Sequence, residues 1–208
     1  MFNAGILAAA VSKVIRGEQI YQSSNTSGNW VCPTGVTSVS VVLIGLGGAG
    51  IVGNSSNSRS SAGGGALVYK NNHTVVPGTS YPYSISASGT VMFGMTAGVG
   101  SPAMNNASTP QPGGIASSAG SPTAAFNGGN GVLIAAGNSN NADGGSAAEY
   151  IRAGTAGGGQ GRSVYGQGYL GWTGAGGGNY IGSSPPFGGE GAIRIIWGPG
   201  RSFPYSAE

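Results

Sequence analysis

The stretch Val39-Ser40-Val41-Val42-Leu43-Ile44-Gly45-Leu46-Gly47-Gly48-Ala49-Gly50 passes in one step from a β-branched run to near-continuous glycine. Its first half has the composition of a strand, because Val and Ile pack well on a pleated surface. Its second half lacks the side chains to make such a surface. The same change of character recurs along the chain. Glycine tracts return at Gly63 to Gly65, Gly113-Gly114, Gly128 to Gly131, Gly144-Gly145, Gly154 to Gly161, Gly174 to Gly178 and Gly188 to Gly191. In all, 44 of 208 residues are glycine, about three times the ordinary share of about 7%.

Such a composition borders on low-complexity disorder, but a disordered chain is also highly charged and poor in apolar residues. Here charged residues are only 6% and hydrophobic residues 39%, so an ordered fold is expected. Flexible linkers are the usual use of glycine tracts, yet linkers seldom return so often between apolar strands. Glycine runs can also pack side by side in the extended left-handed geometry of polyproline II, as at the crowded axis of collagen. The strict Gly-X-Y repeat of collagen is absent. The expected fold is mainly β: a β-strand framework with glycine-rich loops or polyglycine II-type strands, plus a short N-terminal helix.

Working outward, strands are expected over Val36 to Ile44, Ala66 to Lys70, Thr74 to Val76 and Tyr81 to Ser86. Turns are expected at Thr34-Gly35, Asn71-Asn72 and Pro77-Gly78, residue types that set or tolerate turn dihedrals. Weaker strands follow at Val91 to Met95 and Val132 to Ala136, and a clear one at Ala192 to Trp197. Ahead of the framework, Leu7, Val11, Val14 and Ile15 fall at helical spacing among alanines, and Gly17 closes the helix. A helix of about three turns is marginal alone, so its apolar stripe must dock. The division is a docking segment over residues 1–27 and a glycine-rich β domain over 28–208.

The residues capable of chemistry are few. Cys32 is the only cysteine, which excludes an intramolecular disulfide and a Cys-rich zinc site, and it reads as a small buried hydrophobe. The eight Lys and Arg are scattered, against the pattern of a nucleic-acid footprint. Residues 45–50 fit G-x-G-x-x-G and follow a strand, as in a dinucleotide-binding fold. The next residues, Ile51 to Ser58, are poor helix formers, and no acidic residue occurs between Glu18 and Asp143 to take a ribose. Neither Lys13 nor Lys70 follows a glycine, so a phosphate-binding Gly-Lys loop is missing. His73 is the only histidine and reads as a turn residue; no nucleophile elbow surrounds any serine. Paired carboxylates for glycoside hydrolysis are not provided by so sparse a set of acids. The expectation is a protein without catalytic activity, cofactor or metal. The apolar N-terminus lacks a basic lead-in for a secretory signal, and no run reaches the 18 or so apolar residues of a spanning helix.

Aromatics cluster where glycine is densest: Tyr165, Tyr169, Trp172, Tyr180 and Phe187, with Asn179 beside them. They either seal glycine strands or are displayed on loops, where Tyr and Trp offer contact area at low entropic cost. Two motifs then point to a family. Trp30-Val31-Cys32-Pro33-Thr34-Gly35-Val36-Thr37-Ser38-Val39 running into Gly45 to Gly50, and Gly188 to Pro204 around Ala192-Ile193-Arg194-Ile195-Ile196-Trp197, resemble the glycine-rich module of phage tail and tail-fibre-associated proteins, including tail-fibre tip adhesins. The resemblance spans residues 30–204. It implies a virion protein that partners with other tail, fibre or baseplate proteins, is multimeric in the particle, and touches neither nucleic acid nor the membrane interior. On that reading Leu7, Val11, Val14 and Ile15 dock the chain onto the virion. Tyr165, Tyr169, Trp172, Asn179, Tyr180 and Phe187 lie in loops that contact a bacterial surface receptor. A purely structural virion piece from a baseplate, neck or capsid decoration is the alternative, since the family also has members without a receptor role.

Overall fold

A computed structural model describes residues 15–138, 144–149, 157–161, 179–180 and 188–203. The described residues are mainly β and contain no helix. In chain order the strands begin with β1 (Gly17–Ser23), β2 (Thr26–Val31), β3 (Ser38–Ile44), β4 (Ile51–Val52) and β5 (Arg59–Ser60). Next come β6 (Leu67–Thr74), β7 (Ser80–Ser86), β8 (Gly89–Met92), β9 (Met95–Ala97), β10 (Met104–Asn105), β11 (Ala124–Phe126) and β12 (Leu133–Ile134). The last four are β13 (Gly144–Glu149), β14 (Gly157–Gly161), β15 (Asn179–Tyr180) and β16 (Gly191–Trp197).

Two antiparallel sheets make a sandwich. The larger has the order β1-β16-β3-β6-β11, the smaller β2-β7-β8-β9. Successive side chains of a strand point to opposite faces, so β3 sends Val39, Val41 and Leu43 between the sheets, where they join Trp30, Val68, Ile85, Met92, Met95, Ile193 and Ile195 in one buried cluster. Its other face carries Val42 and Ile44, which are buried with Leu67, Tyr69, Ile196 and Phe203. β13 also packs against β3 and β6. Burial on both faces explains why β3 reads as a continuous apolar run without alternation.

Several sequence expectations are corrected. The expected helix falls largely on residues 1–14, outside the described residues; Ile15 and Arg16 are not helical, and Gly17 begins a strand instead of closing a helix. That strand, β1, pairs with β16 along its whole length, from Gly17 opposite Trp197 to Ser23 opposite Gly191. Asn71-Asn72 is not a turn. The strand continues through it with one extra residue: Val39 pairs with His73 but Val41 with Lys70, and Asn72 takes up the irregularity at φ 54°. Asn is among the few residues that tolerate a left-handed backbone. The single strand expected over Val91 to Met95 is a hairpin, β8 to β9, turning at Phe93 and Gly94 with both φ positive. Of Val132 to Ala136 only Leu133–Ile134 is strand. Pro77-Gly78 does turn, with the Thr79 amide donating to the Val76 carbonyl and Gly78 at φ 78°, the arrangement a Pro-Gly type II turn requires.

The glycine tracts continue the sandwich. Residue pairing between β3 and β6 runs from Val41–Lys70 to Ile44–Leu67, and the same register carries on as the Gly45 amide donates to Ala66 and Gly48 to Gly63. Likewise β16 pairs Ala192 with Ile44, and Gly47 then donates to Gly189. The pairing of β11 with β6 ends at Phe126–Leu67, resumes as Gly64 to Gly129 and Ser61 to Val132, and ends as Leu133–Ser60 and Ile134–Arg59. Segments 188–190, 45–50, 61–66 and 127–132 therefore repeat the strand order of the larger sheet beyond the ends of its strands.

A second layer lies against this one. Segment 98–103 bonds to both 45–50 and 61–66, through Gly100 to Leu46, Ala103 to Ala49, Gly63 to Ser101 and Ala66 to Gly98. Segment 111–116 follows it through Gly98 to Ile115, Ser101 to Pro112, Gly114 to Gly64 and Gly128 to Gly114. Ordinary stacked sheets stay about 10 Å apart because side chains separate them. Here the layers hydrogen-bond directly, which only bare backbone allows. The approach tapers, with Leu43, Val68 and Met95 inside the sandwich giving way to Ala66 and Ala97 and then to Gly45 and Gly98, all closely surrounded. A Cβ on Gly45, Gly65, Gly100, Gly114 or Gly128 would collide with a carbonyl of the neighbouring segment. Where two segments share more than one of these bonds, donors and acceptors recur every third residue. Asn side chains follow the same step: Asn127 Oδ1 accepts from the Ala116 amide at 2.9 Å and Asn130 Oδ1 from Gly113 at 3.0 Å.

Candidate functional site

From Ser38 to Ile51 the sheet and lattice form one extended path roughly 40 Å long at about 3.1 to 3.3 Å per residue. One end, here called proximal, holds the start of β1 and the end of β16. The distal end holds the loops over residues 51–60, 104–110 and 133–138.

At the distal end β5 lies between β10 and β12, with Ser60 opposite both Met104 and Leu133. Arg59 is fully buried and donates through Nη2 to the Asn138 carbonyl at 2.9 Å. The turn at its apex is closed by Asn54, whose Oδ1 accepts from Ser56 and whose carbonyl accepts from Asn57. Neighbouring loops are tied to it: Gly137 donates to the Ser55 carbonyl, Ser58 Oγ to Ala107 at 2.7 Å and Asn105 Nδ2 to Val52 at 3.3 Å. The result is a cross-linked tip. It displays Asn, Ser and Thr together with Met104 at 49% and Val132 at 51% exposure. Among the described residues of these loops the one charge, Arg59, is buried, so contact here rests on neutral hydrogen bonding and apolar area.

Asn179 and Tyr180, two of the expected contact residues, form β15 and pair in parallel with Ile51 and Val52 at this end. Tyr165, Tyr169, Trp172 and Phe187 lie outside the described residues. Sequence reading overlooked Asn54 to Ser58 and Met104 to Thr109. Their signal was positional, since each interrupts the interval between two glycine segments that pack together.

Of the expected docking residues, Leu7, Val11 and Val14 lie outside the described residues. Ile15 is at the proximal end, 41% exposed, beside a cleft of about 640 Å³ bounded by Val36, Ser38, Trp197, Pro199 and Arg201. Close by, Arg194 Nη2 meets Glu18 Oε2 at 2.6 Å and Arg201 Nη2 meets the same oxygen at 3.2 Å. The hydrogen bond from Arg194 is the main cause that holds the Glu18 carboxyl below its ordinary 4.5; partial burial opposes it, and the charges of both arginines assist. A depressed carboxyl adds stability that is complete above the ordinary value and lost as pH falls through the lowered one. Thermal melts should therefore show an acid limb beginning near pH 4.5 that Glu18→Gln flattens. An unchanged limb in the variant would remove this pair from the account.

The other shifted groups also sit in the sandwich. Burial raises the Cys32 thiol, and burial together with the adjacent Tyr83 raises Tyr21. His73, read from sequence as a turn residue, stands in β6 opposite Val39 with its ring 4.3 Å from Phe93. Burial first, and then Lys70, lowers its affinity for a proton. No group of three His, Cys, Asp or Glu able to hold a metal occurs among the described residues. The G-x-G-x-x-G match at Gly45 to Gly50 is followed by β4 and a turn, with no helix N-terminus to meet a pyrophosphate. Its glycines serve the lattice: Gly45 and Gly48 lie against the carbonyls of Gly98 and Ser101. No helix among the described residues is long and apolar enough to cross a membrane. Comparison with known protein families finds no match, and comparison with curated proteins finds none either.

Proposed function

We propose that the chain is a bacteriophage virion protein of the tail or tail-fibre apparatus, a receptor-binding or adsorption-associated tip or accessory subunit without catalytic activity. The observation that carries this reading is the division of the molecule, with Ile15 at one end and at the other a cross-linked loop tip whose one charge among the described residues, Arg59, is buried. The resemblance of residues 30–204 to glycine-rich phage tail modules supports it. In this reading the glycine segments are polyglycine II-type strands, as the three-residue recurrence of their hydrogen bonds supports. Leu7, Val11, Val14 and Ile15 dock the chain on other virion proteins, and Asn179 and Tyr180, beside Ile51-Val52, belong to the receptor-facing loops. Such a subunit is assembled in the host cytoplasm and multimeric in the particle.

Specific antibody on intact particles, viewed by electron microscopy, tests the assignment directly. Label at the fibre or tail tip is expected. Purified protein should also bind host cells and block adsorption. A second reading, a non-adhesive joint in baseplate, neck or capsid, is favoured by the firm cross-linking of the tip, which suits a fixed contact. Label at an internal joint, with no cell binding and no block, would select it. No label on particles would remove both.

A further inference from the structure

We infer that the fold is a tension-bearing strut, able to carry force between its proximal end and its distal loops. This goes beyond the proposed role and stands on hydrogen-bond geometry alone. The hairpin of segments 45–50 and 61–66 has its apex at Asn54 to Asn57, at the distal end. Among the described residues, eight backbone hydrogen bonds tie its two glycine segments to segments 98–103, 111–116, 127–132 and 188–190. Antiparallel ladder bonds lie across the strand direction; five of the eight join antiparallel segments, and the other three, Gly100 to Leu46, Ala103 to Ala49 and Gly114 to Gly64, join segments that run parallel and whose bonds are slanted. Force along the axis therefore shears them together.

Slippage is blocked as well. Moving one segment by a residue would bring a side chain such as Leu46, Ala49 or Ile115 to a place where only a glycine fits, against a facing carbonyl. The path continues at the proximal end, where β1 lies along β16 over seven pairs and Glu18 grips Arg194 and Arg201. Pulling the two chain termini apart is different. The described chain begins at Ile15 and ends at Phe203, both on the proximal side, so force first frees Phe203 from Asn71 and Arg201 from Ser40 and Glu18, then opens the Gly17–Trp197 pair and peels β1 from β16 one bond at a time.

Single-molecule pulling of the full chain separates the two cases, because rupture under force reports the unfolding barrier along the pulled direction. One tether is the N-terminus and S56C at the exposed distal turn, Cys32 being buried; the other joins the N- and C-termini. At equal pulling speed the first geometry should need at least twice the force of the second. Equal or lower force overturns the inference. Asn130→Ala, which deletes the Gly113 cross-link, should lower the first force and leave the second unchanged; an equal fall in both would show general destabilisation and also overturn it.

Discussion

Gly65→Ala is expected to leave little or no folded protein. Its new Cβ would collide with the Gly45 carbonyl, and the surroundings within the lattice are backbone atoms of Gly45 and Leu46. A flexible side chain could swing aside, but these atoms are fixed by the Gly45–Ala66 and Gly100–Leu46 hydrogen bonds. Relief requires the two layers to separate, which breaks several bonds worth about 1 kcal/mol each and exposes their partners. A cost above about 4 kcal/mol follows, close to the whole stability of a marginal domain. Gly78→Ala is the control. Gly78 has φ 78° and nothing within 4 Å of a new Cβ, so only the left-handed backbone is penalised, at about 1 to 2 kcal/mol. Circular-dichroism melts of the two variants should differ widely. Equal melting temperatures would mean that the lattice is not packed as described.

Trp30→Ala should cost about 3 to 5 kcal/mol. Trp30 is almost fully buried, with ring centroids 5.8 Å from Tyr81, 6.3 Å from Phe93 and 6.1 Å from Trp197. It bridges β2 of the smaller sheet to β16 of the larger, so its removal opens a cavity between the two sheets. Because the register runs unbroken from the sheets into the glycine segments, the loss should reach the lattice too. The variant is expected to melt in one transition at lower temperature, by calorimetry. A second transition at the original temperature would show that lattice and sandwich fold separately.

Much of the β framework is legible in the residues themselves. β3 and β16 announce themselves by β-branched and apolar runs, and the turns at Thr34-Gly35 and Pro77-Gly78 by a glycine suited to positive φ. Two of the strands that sequence reading misses have a common cause. Gly17 to Ser23 and Thr26 to Val31 are polar edge strands, and their partners Gly191 to Trp197 and Ser80 to Ser86 lie far along the chain or across a loop. No local pattern records such pairing. Asn71-Asn72 misleads for a related reason, since the same residue types serve a turn or a bulge, and only the facing strand decides which.

The candidate site is legible by class and not by place. A neutral, Asn- and Ser-rich loop surface follows from a composition so poor in charge. Which loops share an end does not, because Asn54 to Asn57, Met104 to Thr109 and Asn138 meet only when their glycine segments pack.

By itself the sequence determined that this chain has strands enough for a core, too few reactive groups in recognisable motifs to suggest chemistry, and glycine where backbones must touch. Tertiary structure decided what the glycines do. A tract without side chains has no periodicity of its own to read, and its conformation is chosen by the neighbours whose carbonyls occupy the space a Cβ would have taken.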